Sequence, residues 1–157
     1  MHGEIPVRSF VVVSHICKID HGIAKYLMLK RDGDYLHGIW QMVTGRIEKG
    51  ESAPQAVLRE IKEETNLVPD RLYSANITEI FYEPPDDCMV LAPVFIAFID
   101  SDQTPKLSTE HSEYKWVAVN EASQMLAFDQ QREILTKVDK NFLQTKPNEL
   151  LRIEMEE

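Results

Sequence analysis

One helix with its own start and stop signals, set among runs of strand, constrains this chain more than any other feature. Between Ser52 and Glu64, apolar Ala56, Val57 and Ile61, with Leu58 alongside, fall on a common side at helical spacing. Ser52 is a good N-cap, and Gln55 three residues on completes a Ser-x-x-Gln capping box. Pro54 lies in the first turn, where its missing N–H costs little. Asn66 can adopt the left-handed conformation just past the helix end, and Leu67 can fold back on it.

The flanking segments read as strand. Ser9 to Ile19 is rich in β-branched residues, and Lys25 to Lys30 follows it across an Asp20-His21-Gly22 turn, which predicts a hairpin. Gly38 to Glu48 contains two short β-like pieces broken by Gly45. Ile77 to Tyr82, Met89 to Ile99 and Glu113 to Val119 are further strands, with a turn at Pro84 to Asp87. Pro93 inside the apolar Met89 to Ile99 run implies an edge position or a bulge. Asn120 caps a short helix to Ala127, and Gln130 to Phe142 is a longer one, with Ile134, Leu135, Val138 and Phe142 in register. Strands, a helix, strands, then helices describe an α/β or α+β sandwich. Length suits a single domain over residues 1–145, with 146–157 a loose, acidic-ended tail.

Composition narrows the function. The formal net charge of -9 leaves no basic footprint for nucleic acid or an anionic membrane. The longest apolar stretch is too short to span a bilayer and the N-terminus lacks a signal-peptide pattern, so a cytoplasmic location is expected. Cys17 and Cys88 belong to no CxxC pair, and isolated reduced thiols are the plainer reading. An acidic protein can still take an anionic substrate, given bound cations or a few placed Arg and Lys.

Glu60, Glu63 and Glu64, at i, i+3 and i+4, share one face of the capped helix, and Glu51 lies just before it. Alone, such a face is more often plain solvated surface, with Arg59 and Glu63 an ordinary i,i+4 ion pair. Crowded carboxylates also suit a hard divalent cation that prefers oxygen ligands, and such an ion can bridge phosphates and make a nucleophile of bound water.

The wider pattern decides between these. Gly45, five residues, Glu51, seven residues, then Arg59-Glu60-Ile61-Lys62-Glu63-Glu64-Thr65-Asn66-Leu67 resembles the Nudix box, with Asn66 in place of the usual final Gly. Asn is the next best residue for the left-handed terminus that the Gly would supply. The resemblance implies a Nudix-type α/β/α sandwich with a mixed central sheet, and hydrolysis of a diphosphate linkage with Mg²⁺ or Mn²⁺. It implies Glu60, Glu63 and Glu64 as metal ligands, Glu51 as a supporting carboxylate or extra ligand, and Arg59 as the group that orients a carboxylate. Gly45 would allow a sharp turn beside the metal.

Trp40 to Gly45, Ala53 to Ala56 and Thr109-Glu110-His111 before Tyr114-Lys115-Trp116 are similar to the bacterial dihydroneopterin triphosphate pyrophosphatases, a branch also linked to dATP. That resemblance brings Glu110 to the site from a distant loop, as general base or additional ligand. Arg31 and Arg8, at strand ends, and Lys115 are candidates to meet phosphates. Trp40 could stack on a ring, Gln41 could contact a ring edge, and His111 could bind or catalyse. The expected partner is a small phosphorylated molecule. The runner-up substrates are nucleoside triphosphates and dinucleoside polyphosphates, and the contrasting reading is a Nudix-fold ligand-binding regulator without turnover. Regulators on this fold tend to lose the metal carboxylates, whereas here all are present. Oligomeric state stays open, a homodimer included.

Overall fold

The computed structural model of the protein describes residues 1–155. Strands β1 (Val7–Arg8), β2 (Val11–Asp20), β3 (Ile23–Arg31), β4 (Trp40–Gln41) and β5 (Val43–Arg46) precede helix α1 (Ala53–Thr65). Strands β6 (Arg71–Glu83), β7 (Cys88–Phe98) and β8 (His111–Val117) come next, followed by α2 (Val119–Met125) and α3 (Asp129–Val138). All eight strands join one mixed sheet. β2 is its hub: it runs parallel to β7 and antiparallel to β3 and β5. The β2–β3 hairpin closes through His21 (φ 51°) and Gly22 (φ 78°), the two left-handed residues that this two-residue turn demands.

Residue alternation along β2 splits the core. Val12 and Ile16 pack with Val57 and Ile61 of α1 on one face. Val13 and Cys17 pack with Ile134, Leu135 and Val138 of α3 and Ala122 of α2 on the other. The result is the expected α/β/α sandwich, with α1 alone on its side. Cys17 and Cys88 are both buried and free. No helix among the described residues is long and apolar enough to cross a membrane.

α1 forms as its signals predict. Ser52 accepts from the Gln55 N–H at 3.2 Å, Gln55 Oε1 accepts from the Ser52 N–H at 2.8 Å, and Asn66 sits at φ 62° with its N–H on the Lys62 carbonyl. Three local expectations are corrected, and the one at Pro93 is narrowed to one of its two alternatives. Gly45 does not break the strand but lies within β5 opposite Val12, and the interruption falls at Met42. Pro93 is not on an edge: β7 has neighbours on both sides, and Pro93 stands beside the irregularity in β6 between Ser74 and Thr78, so the bulge alternative holds. Asn120 lies inside the first turn of α2, whose N-cap is Ala118 with no side-chain cap. The segment from Lys146 is no loose tail as far as Met155. Glu149 accepts from the Tyr73 hydroxyl at 2.9 Å, the Ile153 N–H donates to the Leu72 carbonyl, and Ile153 and Met155 pack on the core. Glu156 and Glu157 lie outside the described residues.

Because Asn66 already holds the left-handed terminus, Asn66→Gly should change unfolding free energy by no more than about 1 kcal/mol. Relief of the Cβ penalty and added freedom of the unfolded chain oppose each other. Urea titration checks this, and a loss of several kcal/mol would mean an Asn66 side-chain contact that the fold does not account for.

Candidate active site

Arg59 organises the acidic end of α1. Its Nε donates to Glu51 Oε2 at 2.7 Å and its Nη2 to Glu51 Oε1 at 2.9 Å, a bidentate pair. Nη2 also donates to the Arg46 carbonyl at 2.8 Å, and Nη1 donates to Glu60 at 2.8 Å and Glu63 at 3.2 Å. One cation therefore ties the β5–α1 loop to the helix and turns two helix carboxylates toward itself. Its hydrogen bonds, with that of the Glu48 N–H, hold the Glu51 carboxyl down at about 2. Both Glu51 oxygens are taken, which suits a supporting carboxylate. Glu48, not singled out in the sequence, joins the rim of this network with an oxygen 3.7 Å from Arg59.

Gly45 acts through space and not through a turn. A Cβ there would stand 2.2 Å from Glu60 Cδ and 2.3 Å from its Cγ. Glu60 thus lies flat against the backbone of β5, where burial raises its pKa.

Glu64, at the last turn, is 4% exposed. The loop after β7 covers it: the Lys106 and Ser108 N–H groups donate to the Thr65 and Glu64 carbonyls, and the Asp32 N–H holds the Glu110 carbonyl at 2.8 Å. These bonds deliver Glu110, forty-six positions on, to the carboxylate face. Burial first, then the negative charges of Glu60 and Glu110, push Glu64 up to about 9. Its Oε2 is buried without a hydrogen-bond partner.

The remaining candidates divide between the faces of the sheet. Arg31 is close enough to Glu64 for its charge to oppose the upward shift, and its Nε donates to the Tyr35 carbonyl at 2.6 Å. Gln41 is buried on the α1 side, with Nε2 3.1 Å from His111 Nε2. Trp40, one residue earlier, points to the opposite layer, and Lys115 Nζ stands 5.2 Å from its ring centre. Arg8 is exposed on β1, its charge felt at Cys88. The structure therefore brings Glu51, Arg59, Glu60, Glu63, Glu64, Glu110, Arg31 and Gln41 into one region, and leaves Trp40, Lys115 and Arg8 outside it.

Residues 9–138 match the family model of the NUDIX domain. The chain belongs to the Nudix hydrolase family. It is 29% identical over 126 residues to the asymmetrical bis(5'-nucleosyl)-tetraphosphatase of Sus scrofa, covering 76% of this chain and 82% of that one. It is 51% identical over 43 residues, 27% of each chain, to the dihydroneopterin triphosphate diphosphatase of Escherichia coli. The solved E. coli dihydroneopterin triphosphate pyrophosphohydrolase shares the fold, with TM-score 0.69 over 90% of this chain and all of that one at 24% identity. A 34% match over 119 residues to an octanoyltransferase of Myxococcus xanthus covers 73% of this chain but only 32% of that protein.

Two outcomes follow from the geometry. Glu64's raised pKa means that its burial favours folding below the unfolded-state value of 4.5 and that this benefit is lost as pH rises toward about 9. In metal-free protein, Glu64→Gln should therefore raise Tm at pH 8 and flatten the fall in Tm between pH 5 and 9, as read by thermal melts. Gly45→Ala must displace Glu60, and misplacement on that scale should lower kcat about a hundredfold in a chain that still folds, checked by steady-state kinetics alongside circular dichroism.

Proposed function

We propose that the chain is a divalent-metal-dependent hydrolase of a diphosphate linkage in a nucleoside-triphosphate-like substrate, with dihydroneopterin triphosphate the first candidate and pyrophosphate the released product. The carrying observation is Glu64: a buried carboxyl with an unpartnered oxygen, beside Glu60 and Glu110. A structural ion-pair face would not bury its least compensated acid. The donor set is all oxygen, as Mg²⁺ or Mn²⁺ prefers. Among the described residues no three such side chains converge on one point, because Glu60 and Glu63 are turned to Arg59. Mg²⁺ needs only a few carboxylates, completing its shell with water and phosphate oxygens, so this open arrangement fits.

When bound, the cation supplies charge for the phosphates and lowers the pKa of water. The chain's own groups do the rest. Glu60, Glu63 and Glu64 hold the ion, and Arg59 with Glu51 fixes the loop and aims the helix carboxylates. Glu110 serves as general base or further ligand. Arg31 meets phosphate, and Gln41 is placed to contact the substrate. The short 51% match to the E. coli diphosphatase supports the pterin substrate. A second reading, cleavage of dinucleoside polyphosphates, is favoured by the longer match to the pig tetraphosphatase. Retention of every box carboxylate speaks against a regulator without turnover.

The deciding experiment is a parallel assay of pterin, nucleoside and dinucleoside phosphates with Mg²⁺, with products identified. Dihydroneopterin triphosphate should show the highest kcat/KM, and a dinucleoside polyphosphate ahead of it would replace the substrate. EDTA should abolish turnover and excess Mg²⁺ restore it. Full activity in metal-free protein would end the mechanism. Glu63→Gln and Glu64→Gln should each lower kcat by on the order of a hundredfold, the scale of losing one main electrostatic stabiliser.

A further inference from the structure

β6 is irregular at its middle. Its pairing with β7 passes from Ser74 opposite Phe95 to Thr78 opposite Pro93, so Ala75, Asn76 and Ile77 together face Val94 alone. Asn76 takes up the excess in the left-handed region, at φ 57°, and its N–H donates to Ser74 Oγ at 3.1 Å. A bulge of this kind bends the strand and re-aims its side chains. Nearby, α3 does not end as an α-helix. Asp139–Leu143 form a π-turn, closed by the Gln144 N–H donating to the Asp139 carbonyl at 2.8 Å. The buried Asp139 carboxylate fixes this turn, accepting from the Tyr26 hydroxyl and from Gln144 Nε2, each at 2.7 Å. Single π-turns recur at functional sites. Asn148 then caps a short 3-10 turn over Glu149–Leu151.

The bulge, the π-turn and this last turn together line a cavity of about 520 Å³. Phe142, Ile77 and Leu151 give it apolar surface that is continuous with the core. Its polar lining is of one character. Lys137 and Lys146 contribute two ammonium groups, Asn76, Asn141 and Asn148 contribute amides, and no lining residue is acidic. Neither lysine enters an ion pair among the described residues. Two acids close by in the chain are engaged elsewhere: Asp139 by Tyr26 and Gln144, and Glu149 by the Tyr73 hydroxyl, with Arg152 at 3.7 Å. Asn148 Oδ1 accepts the Leu150 N–H at 3.0 Å, which leaves its NH₂ to donate to another partner. In a chain of formal net charge -9, this is a local reversal of sign.

We infer that this cavity is a second ligand site, which takes the phosphate group of a small phosphate ester on Lys137, Lys146 and the Asn148 amide. It is separate from the carboxylates of α1. Ile77 and Phe142 belong to the α3 layer, whereas Val57 and Ile61 of α1 pack on the other face of the sheet. A lysine ammonium carries three donors and no acceptor, and a phosphate ester near pH 7 brings close to two negative charges and three strong acceptor oxygens. Two cations and a free amide NH₂ therefore match it in charge and in hydrogen-bonding sense. The apolar surface of Phe142, Ile77 and Leu151 gives the ester's organic part a place that a bare ion cannot use, and the volume falls in the range of small-molecule sites. A ligand here would join the β6 bulge, the end of α3 and the segment after Lys146. The inference does not depend on what the chain hydrolyses.

The test titrates the full, metal-free chain with AMP, adenosine and inorganic phosphate, and follows backbone amides one by one by two-dimensional NMR. AMP should shift the amides of Asn76, Asn141 and Asn148 and saturate them at millimolar ligand or below. Adenosine should leave them in place, and inorganic phosphate should shift the same amides with severalfold weaker affinity. Lys137→Ala and Lys146→Ala should each weaken AMP at those amides about tenfold, the scale of one hydrogen bond to a charged group. Both lysines are exposed, so the variants should fold, and an unchanged Tm checks that. Lys140→Ala removes the same charge from an exposed neighbour outside the cavity and should leave the affinity within about twofold, since a lone surface charge is well screened. Shifts confined to the surroundings of Glu64 and Glu110 would overturn the inference. So would equal shifts from adenosine, or a loss in Lys140→Ala as large as in the other two, which would mean diffuse attraction and no site.

Discussion

The carboxylate face of α1 exists because one guanidinium holds it together. Arg59 reaches Glu51, Glu60, Glu63 and the Arg46 carbonyl at once, and without it four neighbouring negative charges would drive the loop from the helix. A lysine could offer the same charge but not the planar fork that grips Glu51 through both oxygens while leaving a nitrogen for the helix. While β2 pairing places β5 and the apolar face of α1 seats the helix, that grip ties the end of β5 at Arg46 to Glu51 and Glu60.

The acids do not share one environment. Glu51 is fully compensated, and Glu60 and Glu63 are partly so. Glu64 is buried with charges of its own sign nearby and Arg31 as its counterweight. This gradient runs along less than four turns of helix, from a loop clamped by Arg59 to a terminus roofed by the segment that carries Glu110. The structure leaves its least compensated carboxyl at the roofed end, where a cation gains most.

Local features of this arrangement were legible in the amino acids. The capping box at Ser52, the left-handed Asn66 and the spacing of the three glutamates depend on residues within a few positions of one another, and the structure contains each. What depends on distant partners was not. Gly45 reads as a turn residue because its requirement, room for Glu60, is a tertiary contact. Asn120 reads as a cap, yet packing of Ala122 starts α2 earlier. The segment after Lys146 has a weak pattern because its anchors, Tyr73 and Leu72, lie far back in the chain. Trp40 and Gln41 are neighbours in sequence and belong to opposite layers, since strand alternation separates them. Glu79 on β6, only 7% exposed, gives no such signal: an acid in a strand ordinarily faces water, and only the placement of Gln131 of α3 beside it shows that this one does not.

The parallel pairing of β2 with β7 joins residues 13–17 to residues 94–98, and α1 lies in the chain between them. A pairing of that separation closes a long loop before any contact rewards it, which slows folding. As the chain leaves the ribosome, α1 is made long before β7 can dock on β2 and before the loop bearing Glu110 exists. The acidic helix therefore spends that interval without its roof, and Glu64 and Glu110 come together only once the loop after β7 has been added. A chain that stops short of β7 carries the recognisable motif without the strand that seats β2 and without the loop that covers Glu64.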